Sequence, residues 1–329
     1  RFGYNPSKVS GIQVESQNQS LGQNDFSRTG ITDVKDTSFT AGLNSNLTGS
    51  VLNEFRFSYG RRATSFRSQN NDAVAFNITD TAFIGRELFS PVDRTETRYQ
   101  FADNINIVAG SHTLKFGGDV NFINIPSALF ELNFAGLFNF GPITAGTLNA
   151  GFAQLGAPNF TATQAYGLGF PSLYIQGFGN PISKIKNKPI AFFGQDSWKI
   201  HPRFTINYGV RYDVEFTETI APVAFRDPLT NISLSSADLT AAQDAVGVQQ
   251  GIPRDTNNWA PRFGAAWDLF GNARTVIRGS IGLYYDHPLL VVAFNSDIAD
   301  AAQQQQSVLT AGSPIPTNSN LLNAALVFQ

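Results

Sequence analysis

The stretch Pro189–Asp213, PIAFFGQDSWKIHPRFTINYGVRYD, decides the fold class. Its second half alternates without interruption: apolar or aromatic residues occupy every second position from Phe204 to Tyr212, and polar or small residues lie between them. A period of two places the two sets on opposite faces of a β-strand. Roughly ten alternating residues exceed the usual strand length of about 5–6. They match the length of a strand that crosses a bilayer at a tilt.

The first half of the stretch, Ile190 to Ile200, predicts a second strand, and only His201 and Pro202 separate the two. The stretch is therefore predicted to form a long hairpin with a tight turn. Similar patterns recur along the chain and predict the strands Arg1–Val9, Lys35–Asn46, Val51–Phe66, Thr95–Val108, Thr113–Ile125, Pro189–Ile200, Arg203–Thr217, Trp259–Leu269 and Thr275–Asp286.

The connections between these strands alternate between short and long. The short ones are Leu47–Ser50, Ala109–His112, His201–Pro202 and Phe270–Arg274, and the long ones are Ser10–Val34, Arg67–Arg94, Pro126–Lys188 and Glu218–Asn258, with another opening at His287. This alternation is typical of up-and-down membrane barrels, which have short periplasmic turns and long extracellular loops. We therefore predict an all-β fold, a partial antiparallel transmembrane β-barrel wall of about 9–10 long strands.

Three segments of the long connections have recognisable patterns. Ser235–Gly247 predicts a short helix, because Ser235 and Asp238 have the spacing of a capping box. Phe130–Phe140 predicts an extra strand pair above the membrane, and Gln303–Gln306 is a short low-complexity run without a predicted role.

The composition agrees with a membrane barrel. Charged residues make up only 15% of the 329 residues, below the usual share of about 25%, and the chain contains 29 Phe. No apolar run reaches the roughly 18 residues of a transmembrane helix. The net charge of −2 provides no basic footprint for nucleic acid, so we expect no nucleic-acid partner. The absence of Cys excludes disulfides and thiolate metal sites.

The alternation assigns the side chains of each strand to two faces. In a barrel of this kind the polar face lines the lumen and the apolar face contacts lipid. Aromatic residues close to strand ends are typical of interfacial girdles. The predicted lumen-facing residues are Glu54, Arg56, Lys115, Asp119, Asn207, Arg211, Asp213 and Arg278; the predicted lipid-facing residues are Phe55, Phe57, Leu114, Phe116, Phe204, Ile206, Tyr208 and Val210; and the predicted girdle residues are Trp198, Trp267, Tyr212 and Tyr285.

Two carboxylates do not fit this assignment, because Asp103 and Asp196 fall on the apolar side of their strands. A β-bulge that inverts the local alternation would explain them. A position near or beyond the edge of the hydrocarbon layer, where a charge costs less, would explain them equally well.

No catalytic, metal or cofactor site is predicted. Arg278–Gly282 is one residue away from the G-x-S-x-G motif, which requires a strand–turn–helix, but it lies inside an alternating strand. The three His residues, at positions 112, 201 and 287, are scattered. We therefore expect that the protein is not an enzyme and binds no cofactor.

Four segments in order resemble the barrel of TonB-dependent outer-membrane receptors, and most closely the Oar-like branch with a carboxypeptidase-regulatory-like domain. They are Asn53–Tyr59, Gly110–Gly118, Phe192–Lys199 continuing to Asp213, and Ala260–Gly264 continuing to Gly279. The resemblance implies a barrel of about 22 strands with an N-terminal plug. It also implies coupling to a TonB-type energy-coupling complex through a TonB box in the missing N-terminal part, and identifies no substrate residue.

On this resemblance, we expect a cell outer-membrane receptor that actively imports a scarce or large extracellular substrate of unknown nature. A passive porin-like channel and a barrel-anchored surface adhesin are the alternatives. The chain contains no Met, and Arg1–Tyr4 already has the pattern of a strand. We therefore expect residues 1–329 to be part of a single barrel domain, without the plug, the TonB box and the C-terminal strands.

Overall fold

The computed structural model describes residues 1–13, 24–148, 151, 154–156, 158–218, 225–226, 233–247, 254–286 and 304–310. Strands dominate these residues. They are β1 (Phe2–Gln13), β2 (Gly30–Thr48), β3 (Val51–Ser68), β4 (Ala75–Ile78), β5 (Ala82–Ile84), β6 (Val92–Ala109), β7 (His112–Phe130), β8 (Leu137–Phe140), β9 (Leu173–Gly179), β10 (Ile182–His201), β11 (Phe204–Thr217), β12 (Phe225–Arg226), β13 (Ser233–Leu234), β14 (Trp259–Asp268), β15 (Val276–Gly282) and β16 (Gln304–Thr310).

Nine long strands form one antiparallel sheet, which we call the wall. Its order is β1-β2-β3-β6-β7-β10-β11-β14-β15, so every strand pairs with the next long strand along the chain. These nine strands correspond one to one to the nine predicted strands, and the predicted fold class is confirmed. The sheet is not closed in the described residues, because β1 and β15 form its two edges.

Successive hairpins of the wall are displaced in one direction. Val51, the first residue of β3, pairs with Ile107, two residues before the end of β6. His112, the first residue of β7, pairs with Trp198, three residues before the end of β10. A displacement of about one residue per strand, at ~3.3 Å per residue and ~4.8 Å between strands, inclines the strands by about 35–40°. This is the inclination of strands in a barrel, so the sheet has the geometry of a barrel wall.

Six of the wall strands (β1, β2, β3, β6, β7 and β10) are longer than the alternation predicts, whereas β11 and β14 are one residue shorter and β15 ends at Gly282 instead of Asp286. β10 contains 20 residues and begins at Ile182, whereas the alternation predicts a start at Pro189. The difference arises because polar residues occupy Ser183, Lys184, Lys186 and Asn187, so the pattern of alternating apolar residues stops before the strand does. Several strands therefore continue past the length of about 9–11 residues that a bilayer requires, on the side of the long connections.

Segments of the long connections fold into a second sheet of five strands, in the order β16-β9-β8-β4-β5. β4 and β5 lie between β3 and β6, β8 and β9 lie between β7 and β10, and β16 follows β15. The pair β4–β8 is parallel, and the other pairs are antiparallel. We call this sheet, together with the helix Ala162–Leu168 that packs on it, the cap. The predicted extra strand pair within Phe130–Phe140 was wrong in its pairing, because β8 pairs with β4 and β9 rather than with the end of β7.

The cap has a hydrophobic core of its own. Tyr174 is completely buried, and its ring centre lies 4.4 Å from that of Phe138. Burial raises the pKa of Tyr174 above its ordinary value, because the charged phenolate is poorly solvated there. The buried members of this core are Ile78, Phe138, Phe140, Ala162, Ala165, Tyr174 and Leu309.

The described residues also contain the α-helices α1 (Ala145–Leu148), α2 (Ala162–Leu168) and α3 (Ser236–Ala245) and the 3-10 helix Phe26–Arg28. The predicted helix Ser235–Gly247 is confirmed as α3, and Ser235 is its N-cap. The Asp238 N–H donates to Ser235 Oγ at 3.1 Å, and Asp238 accepts from the Ser235 N–H at 2.9 Å, which completes a capping box. Ser235 Oγ also donates to Asp238 Oδ2 at 2.7 Å, and this bond, followed by the one from the Ser235 N–H, lowers the pKa of the Asp238 carboxyl group. In the described part of the chain, none of the helices has the length and apolar character needed to span a membrane.

Candidate functional site

The register of the wall separates its side chains into two sets on opposite faces. Arg56 pairs with Ala102, Ala102 with Asp119, Asp119 with Ala191, and Ala191 with Asp213, so one face carries charges across five strands. Directly opposed residues share a face. We call this the charged face. By the same register it holds all eight residues predicted to line the lumen: Glu54, Arg56, Lys115, Asp119, Asn207, Arg211, Asp213 and Arg278.

The opposite side of the wall, which we call the aromatic face, is apolar and exposed. Phe192 is 60% exposed and Phe263 is 50% exposed, although both belong to the regular sheet. This face holds all eight residues predicted to contact lipid, namely Phe55, Phe57, Leu114, Phe116, Phe204, Ile206, Tyr208 and Val210, and three of the predicted girdle residues, Trp198, Trp267 and Tyr212. Tyr285 lies three residues past β15, where the strand pairing assigns it to neither face.

An ion-pair cluster occupies the middle of the charged face. Arg211 Nη2 lies 3.3 Å from Asp119 Oδ2, and Arg211 Nε donates to both carboxylate oxygens of Asp213 at 3.0 Å. The small side chain of Ala191, which pairs with both aspartates, leaves room between them for the guanidinium group. The cluster connects β7 to β11 across β10. It therefore neutralises the two carboxylates and also stabilises the register of these three strands.

Beside this cluster the charged face carries a shallow hollow with a positive rim. Lys115, Arg262 and Arg278 line the hollow, and none of them forms an ion pair with another described residue. Small residues such as Gly209 and Gly264 lie between them and keep the surface low. The hollow is therefore suited to polar or anionic groups. In the ranges that the structure describes, no three His, Cys, Asp or Glu side chains come together as a metal site.

A fully buried ion pair holds the cap to the connection between β1 and β2. Arg28 Nη2 lies 3.3 Å from Glu87 Oε1, and both side chains are 0% exposed. The guanidinium carbon lies 3.3 Å from the centre of the Phe83 ring. Burial lowers the pKa of Arg28 to about 10, and the Glu87 carboxylate opposes this effect. Removal of either partner would leave an uncompensated charge in the interior.

Buried serines extend this contact into a hydrogen-bonded network. The Glu87 N–H donates to Ser68 Oγ at 2.8 Å, and the Ser68 N–H donates to Ser90 Oγ at 2.9 Å. Ser90 Oγ donates in turn to Asn71 Oδ1 at 2.8 Å. The network fixes the connection between β3 and β6 directly above the end of β3. The two connections therefore form one unit with the cap.

Glutamines of β16 attach the last cap strand to the end of β7. Gln304 Nε2 donates to the Phe130 carbonyl at 2.7 Å, and Asn133 Nδ2 donates to Gln306 Oε1 at 2.8 Å. Within the run Gln303–Gln306, Gln304 and Gln306 thus have a structural role that the composition does not reveal, while Gln303 lies outside the described residues. A glutamine side chain offers both a donor and an acceptor, which suits it to pair with exposed backbone groups.

The two aspartates on the aromatic face are explained without a bulge. The pairing of β10 with β11 is continuous through Asp196, and that of β6 with β7 is continuous through Asp103. Asp196 accepts from Tyr208 Oη at 2.9 Å and lies 2.6 Å from His112 Nδ1, close to the short turn. Asp103 accepts from Asn53 Nδ2 at 2.8 Å. The bulge explanation is therefore wrong, and each carboxylate has a polar partner.

The sequence did not reveal the contacts of Arg28, Glu87 and Gln304 in and around the cap. Arg28 and Glu87 are separated by 59 positions and belong to no periodic segment. No local signal distinguishes them from exposed loop charges.

Comparison with known proteins identifies relatives of this chain. The family model described as "Outer membrane beta barrel domain" matches residues 8–327. The TonB-dependent transporter Oar of Myxococcus xanthus is 26% identical over 198 residues, which are 59% of this chain and 15% of that protein. The chain thus spans about 15% of the length of this curated relative.

Solved structures with a similar arrangement include the outer membrane transporter YddB from Escherichia coli, with a TM-score of 0.47 and 11% identity over 93% of this chain and 31% of that chain. The closed form of the ferric-catecholate import receptor Fiu from E. coli K12 has a TM-score of 0.43 and 11% identity over 97% of this chain and 44% of that chain. The family match therefore carries the assignment.

Proposed function

This chain belongs to the outer membrane beta barrel domain family, and we propose that it supplies part of the barrel of a TonB-dependent transporter that takes up a large or scarce substrate. The similarity to the transporter Oar supports transport. The observation that carries the proposal is the folding of three long connections into a cap beside a wall with one charged face.

In this proposal the charged face lines the lumen and the aromatic face contacts lipid. A lumen-facing wall explains why Lys115, Arg262 and Arg278 remain without carboxylate partners among the described residues, since they are then available to a ligand or to a domain inside the barrel. A lipid-facing wall explains why aromatic side chains remain exposed on the other side. The cap, which is compact and has its own core, is suited to first contact with the substrate.

We propose further that the chain is one part of a single barrel, with a plug domain, a TonB box and further strands elsewhere in the protein. The open edges at β1 and β15 support this, because unpaired backbone groups are costly inside a membrane. A TonB-type complex would then be the energy source, and the mechanism would combine capture at the cap with movement of the plug.

A passive channel is the second candidate, and its conductance distinguishes it from a transporter. Full-length protein reconstituted in planar bilayers in KCl should show no steady ionic conductance, because a plug and the cap block the lumen. It should also bind the purified periplasmic domain of TonB in a pull-down. A steady conductance without TonB binding would contradict the transport proposal and support a porin. No conductance and no TonB binding would support an adhesin.

A further inference from the structure

Three lysines alternate along the part of β10 that lies nearest to the long connections. Their side chains are exposed, whereas the side chains between them are almost completely buried. The exposed set is Lys184, Lys186 and Lys188, which we call the lysine row, and the buried set is Ser183, Ile185 and Asn187, at 2%, 2% and 1%. Lys188 pairs with Phe216, and the alternation continues through Ile190 and Phe192, so the lysine row extends the aromatic face.

The position of the lysine row along the strand matches the boundary of a bilayer. Trp198, near the short turn, and Lys188 are ten residue steps apart on β10. They span ~33 Å along the strand, or about 25 Å along the membrane normal at the inclination derived above. This equals the height of about 25 Å of the apolar band on membrane barrels. Lys188 then lies at the top of the band, and Lys186 and Lys184 lie roughly 5 and 10 Å higher, where the headgroups are.

The charge around the lysine row is not balanced. Lys186 Nζ lies 3.3 Å from Glu218, but both side chains are more than half exposed, so this pair is weak. Lys184 and Lys188 form no ion pair with the residues that the structure describes. The guanidinium group of Arg254 lies 4.5 Å from the centre of the Phe216 ring and adds another cation nearby. Like charges at alternate positions repel one another, so the row contributes nothing favourable to the fold by itself.

We propose that the lysine row binds the phosphate groups of lipid headgroups in the leaflet on the side of the cap. The proposal rests on the lipid-facing orientation of the aromatic face in the proposed function. Lysine suits this partner because its ammonium group is a point charge on a flexible stem, which reaches phosphates at different depths. Bound lipid would also hold the barrel at a defined height, with the cap outside the headgroup layer.

Lipid retention tests the proposal with the full-length protein that contains this chain. The protein is exchanged from micelles doped with a labelled diphosphorylated glucosamine lipid into lipid-free detergent, and the retained label is measured. The variant Lys184→Gln/Lys186→Gln/Lys188→Gln should retain far less, because each lysine near an anionic surface contributes ~1 kcal/mol, which is about a five-fold change in affinity. The two unpaired lysines together should therefore account for a loss of about 25-fold.

Matched variants separate headgroup binding from other effects. Lys115→Gln/Arg262→Gln/Arg278→Gln removes the same charge from the charged face and should retain lipid like the wild type. The Arg variant of all three row positions keeps the charge and should also retain lipid, which shows that retention depends on the charge rather than on the lysine side chain itself. Unchanged retention in the Gln variant of the row, or an equal loss in the charged-face variant, would overturn the proposal.

Two further measurements complete the test: competition by inorganic phosphate and binding of the TonB domain. Displacement of the lipid by inorganic phosphate at the same phosphate concentration would overturn it in favour of a site for soluble phosphate. Binding of the TonB domain, measured on the same samples, reports on the transport proposal separately, because the lysine row does not contribute to it.

Discussion

Substitution of Val210 by Arg tests the orientation of the wall most directly. Val210 lies on the aromatic face and is 41% exposed. It pairs with Gly194, which lies four residue steps from Trp198 on β10, where Lys188 lies ten steps from Trp198. At the inclination of the wall, this places Val210 about 10 Å above the lower edge of an apolar band about 25 Å high. The residue is therefore within about 3 Å of the proposed midplane.

An arginine at that depth on a lipid-facing surface destabilises a barrel by about 2–4 kcal/mol. The cost should arise from solvation, because Gly194 opposite has no side chain with which a longer residue could collide. We expect Val210→Arg to lower the free energy of unfolding by this amount when full-length protein is unfolded with urea in lipid vesicles and followed by tryptophan fluorescence.

Asn207→Arg is the matched control, because it lies on the same strand but on the charged face between Ser197 and Gly264. It should change the free energy of unfolding by about 0.5 kcal/mol or less. If Val210→Arg were as stable as the wild type, or if the two variants lost equal stability, the assignment of the aromatic face to lipid would be wrong.

Three other predictions concern topology and the cap. Cysteine introduced at Asn159 or Ala242 of a cysteine-free full-length protein should react with an impermeant maleimide on intact cells, and cysteine at Gly271 should react only after the outer membrane is permeabilised; the opposite result would reverse the orientation. Glu87→Gln leaves Arg28 charged and buried and should destabilise the cap by about 3–5 kcal/mol, seen as faster hydrogen exchange around residues 25–30 and 83–90. Asp33→Asn in the exposed pair with Lys35 should cost less than about 1 kcal/mol, and equal exchange in both variants would contradict a structural role for the buried pair. Gly177→Ala places a Cβ 1.8 Å from the Leu132 carbonyl oxygen and should expose the cap to limited proteolysis, whereas Gly60→Ala, which meets nothing within 4 Å, should not.

The wall could be predicted because one local rule governs it. A strand with one apolar and one polar face alternates between them at every position. This period of two can be recognised in the sequence without knowing the partner strands. The same rule explains the error at the start of β10. There Ser183, Ile185 and Asn187 are buried and Lys184, Lys186 and Lys188 are exposed, so burial still alternates while polarity does not. A strand assignment based on apolar residues therefore misses the first residues of β10.

The cap could not be predicted because its strands are short and their partners are distant. β8 has four residues and pairs in parallel with β4, which lies more than fifty residues earlier in the chain. Such pairs depend on the wall to bring their segments together. The contact of Arg28 with Glu87 is of the same kind, since its stability comes from the surrounding burial rather than from any pattern in the sequence.

Because the cap is assembled from three separate connections, its strands can pair only after distant parts of the chain have come together. The cap sheet requires β4, β8, β9 and finally β16, and the last of these follows every strand of the wall in the chain. Closing loops of this length costs conformational entropy, which is lower once the wall hairpins already hold the ends of each loop close together. Completion of the cap should therefore be a late event, and it should occur only on a wall whose hairpins have reached the correct register.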